Sequence, residues 1–298
     1  MRRMMPAVLG LIILLTSACI CLPEKAEFKG DKIALIRLEG VISEEGQFTL
    51  SPAITPERVS ELLERAAEDE KIKAVVLRIN SPGGSAAASW EIARMIKDFQ
   101  KPIVVSMGDT ATSGGLYISV YADKIIANPN TITGSIGVLS EVFIVEGLLE
   151  KLGIEAEVIK SGEHKDMIAG LRPLTPKERE ILQRICDELH EEFVRAVAEG
   201  RKMEEEEVRR IATGEIFTGR RALELGLVDE LGGLEEAIEA AADLAGLEPG
   251  AYEVEELEIP WWERMFRDLF SDIALPLRTE EELLILKAIE GWNRIPRY

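Results

Sequence analysis

The sequence predicts an α/β protein built on a parallel sheet covered on both faces. Strand-like runs alternate with helix-like runs along most of the chain, the pattern of strand–crossover–strand units. The run at Ile103, Val104 and Val105 is apolar at successive positions, as a strand buried on both faces must be. Right-handed crossovers would then bring the strand-to-helix loops to one edge, and two of those loops are rich in glycine and serine.

A chain of 298 residues is long enough for one large domain with appendages. Its 46% hydrophobic and 30% charged residues are those of a folded protein. The 54 acidic against 35 basic residues leave a net charge of −19, which repels phosphates and argues against nucleic acid as a partner.

Residues 1–22 differ in kind from the rest. Arg2 and Arg3 precede an uncharged run from Met4 to Leu22, long enough to span a bilayer at the short end of the range. The flanking charges predict a single-pass anchor with a cytoplasmic N-terminus and the rest of the chain outside the cytoplasm. A cleaved signal peptide and a lipoprotein signal at Cys19 compete with that reading. Leu15 lies one place too early for the second, and the apolar core is long for the first.

A polar tether, 23–31, leads to the main domain, 32–250. Lys32–Leu38 reads as the first strand and 43–54 as a loop. Thr55 and Pro56 open a helix to about Asp69 that buries Val59, Leu62, Leu63 and Ala66. Ala74–Ile79 is the next strand and ends in Asn80–Ser85 (NSPGGS). A helix follows with Trp90, Met95, Ile96 and Phe99 as its buried residues, and then the strand before Thr110–Ile118 (TATSGGLYI).

Further elements are expected at Lys124–Ala127, a glycine-rich stretch Thr131–Val138, a helix at Val145–Leu152 and a strand at Ile154–Lys160. Thr175 and Glu178 form a capping box that opens a long helix toward Gly200. Glu204–Ala212, Arg220–Leu225 and Leu234–Leu244 read as helices, with Gly214–Gly219 as a turn. The tail, 251–298, carries Trp261, Trp262, Met265, Phe266, Leu269 and Phe270 at helical spacing. Its amphipathic face suits a subunit contact better than an anionic membrane surface, because the polar face is acidic.

Ser113 is the candidate centre of the chemistry. It stands between a buried strand and a helix start, where free backbone N–H groups favour a developing anion. Gly114 and Gly115 leave room for a substrate backbone, although a glycine turn of this kind also occurs with no catalytic role. A serine nucleophile needs a base. The chain has two histidines: His190 sits mid-helix and His164 lies in a polar loop after a strand. In that loop Lys165 is the alternative, provided its pKa falls by about two units or more from ~10.4 so that it is neutral. Position alone favours a solvated surface lysine. No nucleotide-binding loop, zinc-ligand spacing or disulfide framework is present, so neither metal nor cofactor is expected.

Four stretches together resemble the signal peptide peptidase A family in its short, single-domain form. They are Val75–Ser85, Asp109–Tyr117, Thr133–Gly137 with Ser161–Asp166, and Phe217–Asp229, within a likeness running from about Ile33 to Leu244. The resemblance implies the Clp protease/crotonase fold of repeated ββα units, with an N-terminal membrane anchor and, here, a helical C-terminal tail. It implies Ser113 as nucleophile, Lys165 as general base 52 residues later, and Ser135 as the hydroxyl that holds the lysine. The oxyanion hole falls on the N–H groups of Gly84 and Gly114, with Gly83 shaping the turn, as two donors aimed at one oxygen require.

Substrates implied are signal peptides and other unfolded or apolar peptides, cut without ATP at the outer side of the cell membrane. The resemblance also implies a homo-oligomeric ring, with an octamer as one size, in which the serine and lysine of one site can come from one subunit or from two neighbours. A related membrane protease that cuts a stomatin-like partner usually carries extra membrane helices that this sequence lacks. A crotonase-type acyl-CoA enzyme conflicts with the external location, and a relict scaffold conflicts with the intact Ser/Lys pair.

Overall fold

A computed structural model describes residues 30–44 and 53–259. The expected anchor, most of the tether and the aromatic face of the tail lie outside the described residues. Among the described residues no helix is long and apolar enough to cross a membrane.

Ten strands and eight helices alternate through these residues. In chain order they begin with β1 (Asp31–Glu39), β2 (Val41–Ile42), β3 (Ala53–Ile54), α1 (Pro56–Glu68), β4 (Ile72–Ser81), α2 (Ala86–Asp98), β5 (Ile103–Thr112) and α3 (Gly114–Tyr117). Then come β6 (Lys124–Ala127), β7 (Ile132–Gly134), α4 (Glu146–Lys151), α5 (Pro176–Arg201), α6 (Glu205–Ile211), β8 (Ile216–Thr218), α7 (Gly219–Glu224), β9 (Glu230–Leu231), α8 (Leu234–Leu244) and β10 (Tyr252–Glu256). The main sheet runs β10-β1-β4-β5-β6-β9 and is parallel throughout, while β8 joins antiparallel to β7.

Both faces of the sheet are covered, as the apolar runs require. One face packs Ile36, Leu38, Leu77, Ile79, Val105 and Met107 against α1, α2, α3 and the second half of α5. The other packs Ile33, Leu35, Val76, Val104 and Ile126 against α8, whose contact residues Ala237, Ala240, Ala241 and Ala242 let the helix lie close. Helix α1 begins as expected: the Thr55 hydroxyl accepts the Arg58 N–H at 3.2 Å, and Pro56 occupies the first helical position.

One irregularity aims the strands at the site. β4 and β5 pair in register up to Ile79–Met107 and then slip, so that Ser81 faces Ala111. Across the slip β5 changes partner. Its first half pairs with β6, and Thr110–Thr112 pair with β7.

Several sequence expectations are corrected here. Trp90 is not buried but 46% exposed; α2 packs through Ala88, Ser89, Ile92, Ala93 and Ile96, the stripe that faces the sheet. Residues 216–218, expected as a turn, pair as β8 with β7. The expected strand at 154–160 is exposed along its whole length and joins no ladder among the described residues. The tail does not leave the domain at 251. Residues 252–256 add β10 to the edge of β1, held by Lys32–Glu255 at 2.8 Å and Arg37–Glu256 at 2.7 Å.

Gly200, near the end of α5, tests how tightly that helix docks. A Cβ there would overlap the Val120 carbonyl oxygen, which is backbone and has nowhere to move. Helix propensity favours alanine by ~1 kcal/mol, whereas overpacking costs about 1–3 kcal/mol. The clash should win, so Gly200→Ala should lower the urea unfolding midpoint despite adding a helix former.

Candidate active site

Two backbone turns meet at the C-terminal ends of β4 and β5. The turn after β4 is Pro82–Gly84, and the turn after β5 is Ser113–Gly114. They are cross-linked on both sides: the Thr110 N–H donates to Asn80 Oδ1 at 3.1 Å, and the Thr112 hydroxyl donates to the Pro82 carbonyl at 3.2 Å. Within the first turn the Gly83 N–H donates to Ser81 Oγ at 3.1 Å.

Approach at this point is close enough that only glycine fits. A Cβ on Gly83, whose φ is +99°, would lie 2.7 Å from the Gly114 nitrogen and 2.9 Å from the Ser113 Cβ. Gly84, at φ +154°, is backed by β2: the Ile42 N–H donates to Gly83 O at 2.9 Å and the Ser85 N–H to Ile42 O at 2.8 Å. This parallel bridge consumes the groups flanking Gly84 and leaves its own N–H directed away from β2. Gly114 is buried at the first position of α3, and its N–H has no helical acceptor. The structure therefore brings two free backbone donors, on Gly84 and Gly114, to the two turns that enclose Ser113.

Ser113 itself has φ 51° and ψ −119°, a conformation that costs a non-glycine residue about 1–3 kcal/mol. Its main chain is fixed from both ends: its N–H donates to Gly134 O at 2.9 Å, and its carbonyl accepts the Tyr117 N–H at 2.9 Å. The side chain is half-buried.

Ser135 is the residue after Gly134, the acceptor of the Ser113 amide, and it too has a positive φ, 53°. Its N–H donates to Glu215 O at 2.7 Å, which anchors it to the segment entering β8. Ser113, Gly83, Gly84, Gly114 and Ser135 thus come together around the end of β5. Lys165 does not join them within one chain through any hydrogen bond. It lies on an excursion, 138–174, between β7 and α5, where its side chain is exposed.

The histidines are engaged elsewhere. His190 Nε2 lies 2.9 Å from the Ala212 carbonyl, and His164 Nδ1 lies 3.3 Å from Glu178 Oε1. Burial pushes the Tyr117 hydroxyl up to about 12, so it stays protonated at neutral pH and offers no base. Among the described residues no cluster of side chains could hold a metal ion.

The excursion carries an ion network that the sequence does not announce. Arg172 spans two carboxylates, reaching Asp166 at 2.8 and 3.0 Å and Glu178 at 2.7 and 2.8 Å. Lys160 adds a contact to Asp166 at 2.5 Å, and the Thr175 N–H completes the capping box on Glu178 at 2.9 Å. The Glu178 side chain is 1% exposed. The capping box was legible in the sequence; its second role as an ion-pair partner depends on how the loop folds back.

Comparison with known proteins follows this geometry. The model of peptidase family S49 matches residues 95–248, more than half of the chain, and the Clp protease model matches residues 42–133. The chain belongs to peptidase family S49. Its mixed α/β fold is of Clp protease type, and it is a serine peptidase. A candidate protease of Synechocystis sp., slr0021, is 42% identical over 77% of this chain and 80% of its own length. A candidate signal peptide peptidase SppA of Enterococcus faecium is 38% identical over 70% of this chain and 62% of its own. Protease 4 of Haemophilus influenzae is 35% identical over 81% of this chain, which spans 39% of that longer protein.

Two outcomes test the S49 site. Gly83→Ala should lower kcat by about 100-fold or more, as loss of an oxyanion donor does, because the new methyl separates the two turns. Circular dichroism should show the fold retained. Arg172 holds Asp166 and Glu178 below the ordinary carboxylate range, through its hydrogen bonds first and then those of Lys160 to Asp166 and of the Thr175 backbone to Glu178. Depressed carboxylates stabilise fully above the unfolded range of about 4 and lose that contribution as pH falls below it. Hydrogen exchange across 160–178, corrected for intrinsic rates, should therefore accelerate below pH ~4 before the sheet opens.

Proposed function

We propose that this S49 peptidase works through a Ser/Lys dyad, with Ser113 as nucleophile and Lys165 as general base. The observation that carries the reading is the strained Ser113 turn packed against Gly83, with the free N–H groups of Gly84 and Gly114 beside it. Neutral Lys165 takes the Ser113 proton as the hydroxyl oxygen attacks the scissile carbonyl. The carbonyl oxygen, now an anion, is held by the Gly84 and Gly114 N–H groups. As the C–N bond breaks, Lys165 returns the proton to the leaving amine. Water then attacks the acyl-serine, with Lys165 again as base, and releases the new carboxylate and Ser113. Ser135 holds the lysine amine in place.

Lys165 reaches Ser113 from a neighbouring copy in this reading. The excursion that bears it exposes Phe143, Ile159 and Ile168 at 78%, 92% and 68%, a run of apolar surface that a single chain leaves uncovered. Its extended segment 154–160 offers backbone groups with no ladder partner of its own. A ring of copies would cover both. Substrates in this reading are signal peptides and other extended apolar peptides, cut without ATP outside the cytoplasm by a domain tethered to the membrane through residues 1–22. The sequence of that segment and the name of the Enterococcus faecium relative support it.

Ser113→Ala and Lys165→Ala should each abolish cleavage of a quenched fluorescent peptide of alanine and leucine. Co-assembly of the two inactive variants should restore part of the activity if sites are shared between copies. A fluorophosphonate should label Ser113, mapped by mass spectrometry. The pH–rate profile should rise to an alkaline plateau, whereas a midpoint near ~6.5 would indicate histidine and overturn the dyad.

A further inference from the structure

Ser81, Thr112 and Ser89 are buried hydroxyls beside the two turns of the site. The first two bond to those turns: Ser81 Oγ accepts the Gly83 N–H, and the Thr112 hydroxyl donates to the Pro82 carbonyl. The Ser89 bond stays within its own helix. Its hydroxyl, 2% exposed, donates to the Ser85 carbonyl at 2.7 Å, and that carbonyl already accepts the Ser89 N–H at 3.0 Å. The bond therefore rescues no orphaned group, and alanine is the better helix former. Stability of α2 gives no reason for a serine here.

What the hydroxyl packs on is Gly114. A Cβ there would lie 2.5 Å from Ser89 Oγ, and 3.2 Å from both the Gly83 Cα and the Ile42 Cδ1. The Ser89 oxygen thus fills the flank of Gly114 where a side chain would stand. The same oxygen bonds to Ser85, the residue after Gly84. Ser85 is fixed besides by its N–H, which donates to Ile42 O at 2.8 Å, and by its hydroxyl, which accepts the Ala88 N–H at 3.3 Å.

We infer that Ser89 is a positioning residue for the S49 reaction, whose hydroxyl sets the spacing between the Gly84 and Gly114 N–H groups. The inference rests on the reading of those two groups as the oxyanion hole.

The backbone around Gly114 needs such a support. Glycine has no side chain to pack and turns freely about φ and ψ. It opens α3, a helix of four residues, too short to hold its own first turn in place. The place of the Gly114 N–H is therefore set by what lies against it, and Ser89 Oγ is the nearest atom on that flank. Ser89 in turn rides on α2, which is anchored in the core through Ile92, Ala93 and Ile96. Oxyanion donors act by being in place before the charge develops. Without the Ser89 oxygen, Gly114 can move toward α2 and its N–H is misplaced.

Ser89→Ala tests this in the full chain with two ligands of one alanine–leucine sequence, a peptide aldehyde and the corresponding alcohol. Ser113 Oγ adds to the aldehyde carbon, and the former carbonyl oxygen takes the oxyanion position, so the adduct resembles the transition state. The alcohol occupies the same groove but offers no carbon for the serine to attack. Ser89→Ala should lower kcat by about tenfold, less than the ~100-fold of a donor lost outright. KM should be unchanged. The aldehyde Ki should rise by the same factor as kcat falls, while the alcohol Ki should stay where it is. The thermal midpoint should hold or rise, since no partner is orphaned.

An unchanged aldehyde Ki overturns the inference. So does a parallel rise in both Ki values, which a general loosening of the groove would produce. A Ser89→Ala protein that no longer folds assigns the serine a structural role and likewise overturns it. The wild type separates the two readings. If it binds aldehyde no better than alcohol, or if Ser113→Ala keeps the preference, the oxyanion reading fails and takes this inference with it. If the wild type shows the preference and Ser89→Ala keeps it in full, only this inference fails.

Discussion

The contact between the Gly83 Cα and the Ser113–Gly114 backbone governs the rest of the site. It requires two strand ends to deliver their turns to within van der Waals contact of one another, with no side chain between them. The slip between β4 and β5, the cross-links from Asn80 and Thr112, and the bridge from Ile42 to Gly84 all serve that approach. The strain in Ser113 persists because Gly134 and Tyr117 hold its main chain from both sides, and because the sheet beneath is buried on both faces. Relaxing the serine would recover about 1–3 kcal/mol of strain and lose two backbone hydrogen bonds worth about the same together, so those bonds offset the strain.

The excursion between β7 and α5 follows a different design. In the sheet, order comes from buried apolar side chains; in the excursion those side chains face outward and order comes from Arg172, Asp166, Lys160 and Glu178. Such a segment keeps its shape without a core while its apolar side chains stay exposed. The two designs suit the two halves of the proposed dyad. The nucleophile needs a fixed backbone beside the oxyanion donors, whereas the base needs to be carried outward on a loop of stable shape. Family S49 membership fixes the reaction class as peptide hydrolysis by serine. The Clp protease match covers the strand turns around Ser113, and the S49 match extends through the excursion.

Much of this was legible in the sequence because it depends on local chemistry. Apolar runs at 74–79 and 103–105 identified buried strands, since those residues had to be shielded on both faces. Thr55 and Thr175 marked helix starts, because capping is settled within four residues. The glycines at 83, 84, 114 and 115 indicated close backbone approach. What proved illegible depends on residues far apart in the chain. Residues 154–160 read as a strand, yet a strand exists only with a partner, and the described residues supply none. Residues 252–256 read as the start of a tail, but they pair with β1, where Lys32 and Arg37 hold Glu255 and Glu256. Trp90 was expected inside because it is apolar, while the helix direction turns it to solvent.

The sequence by itself determined the α/β class, the helix caps and the serine–glycine turn, and its resemblance to a known family pointed to the lysine 52 residues later. The first three follow from periodicity, from short-range hydrogen bonding and from the small residues that a close turn requires. Tertiary structure alone decided that two glycine turns meet, that Ser113 is held in a strained conformation, and that Arg172 engages Asp166 and Glu178 together. The physical reason is the same in each case. A close approach, a strained dihedral angle and a buried ion pair are stable only when surrounding elements constrain both partners, and those constraints come from segments that are distant in sequence.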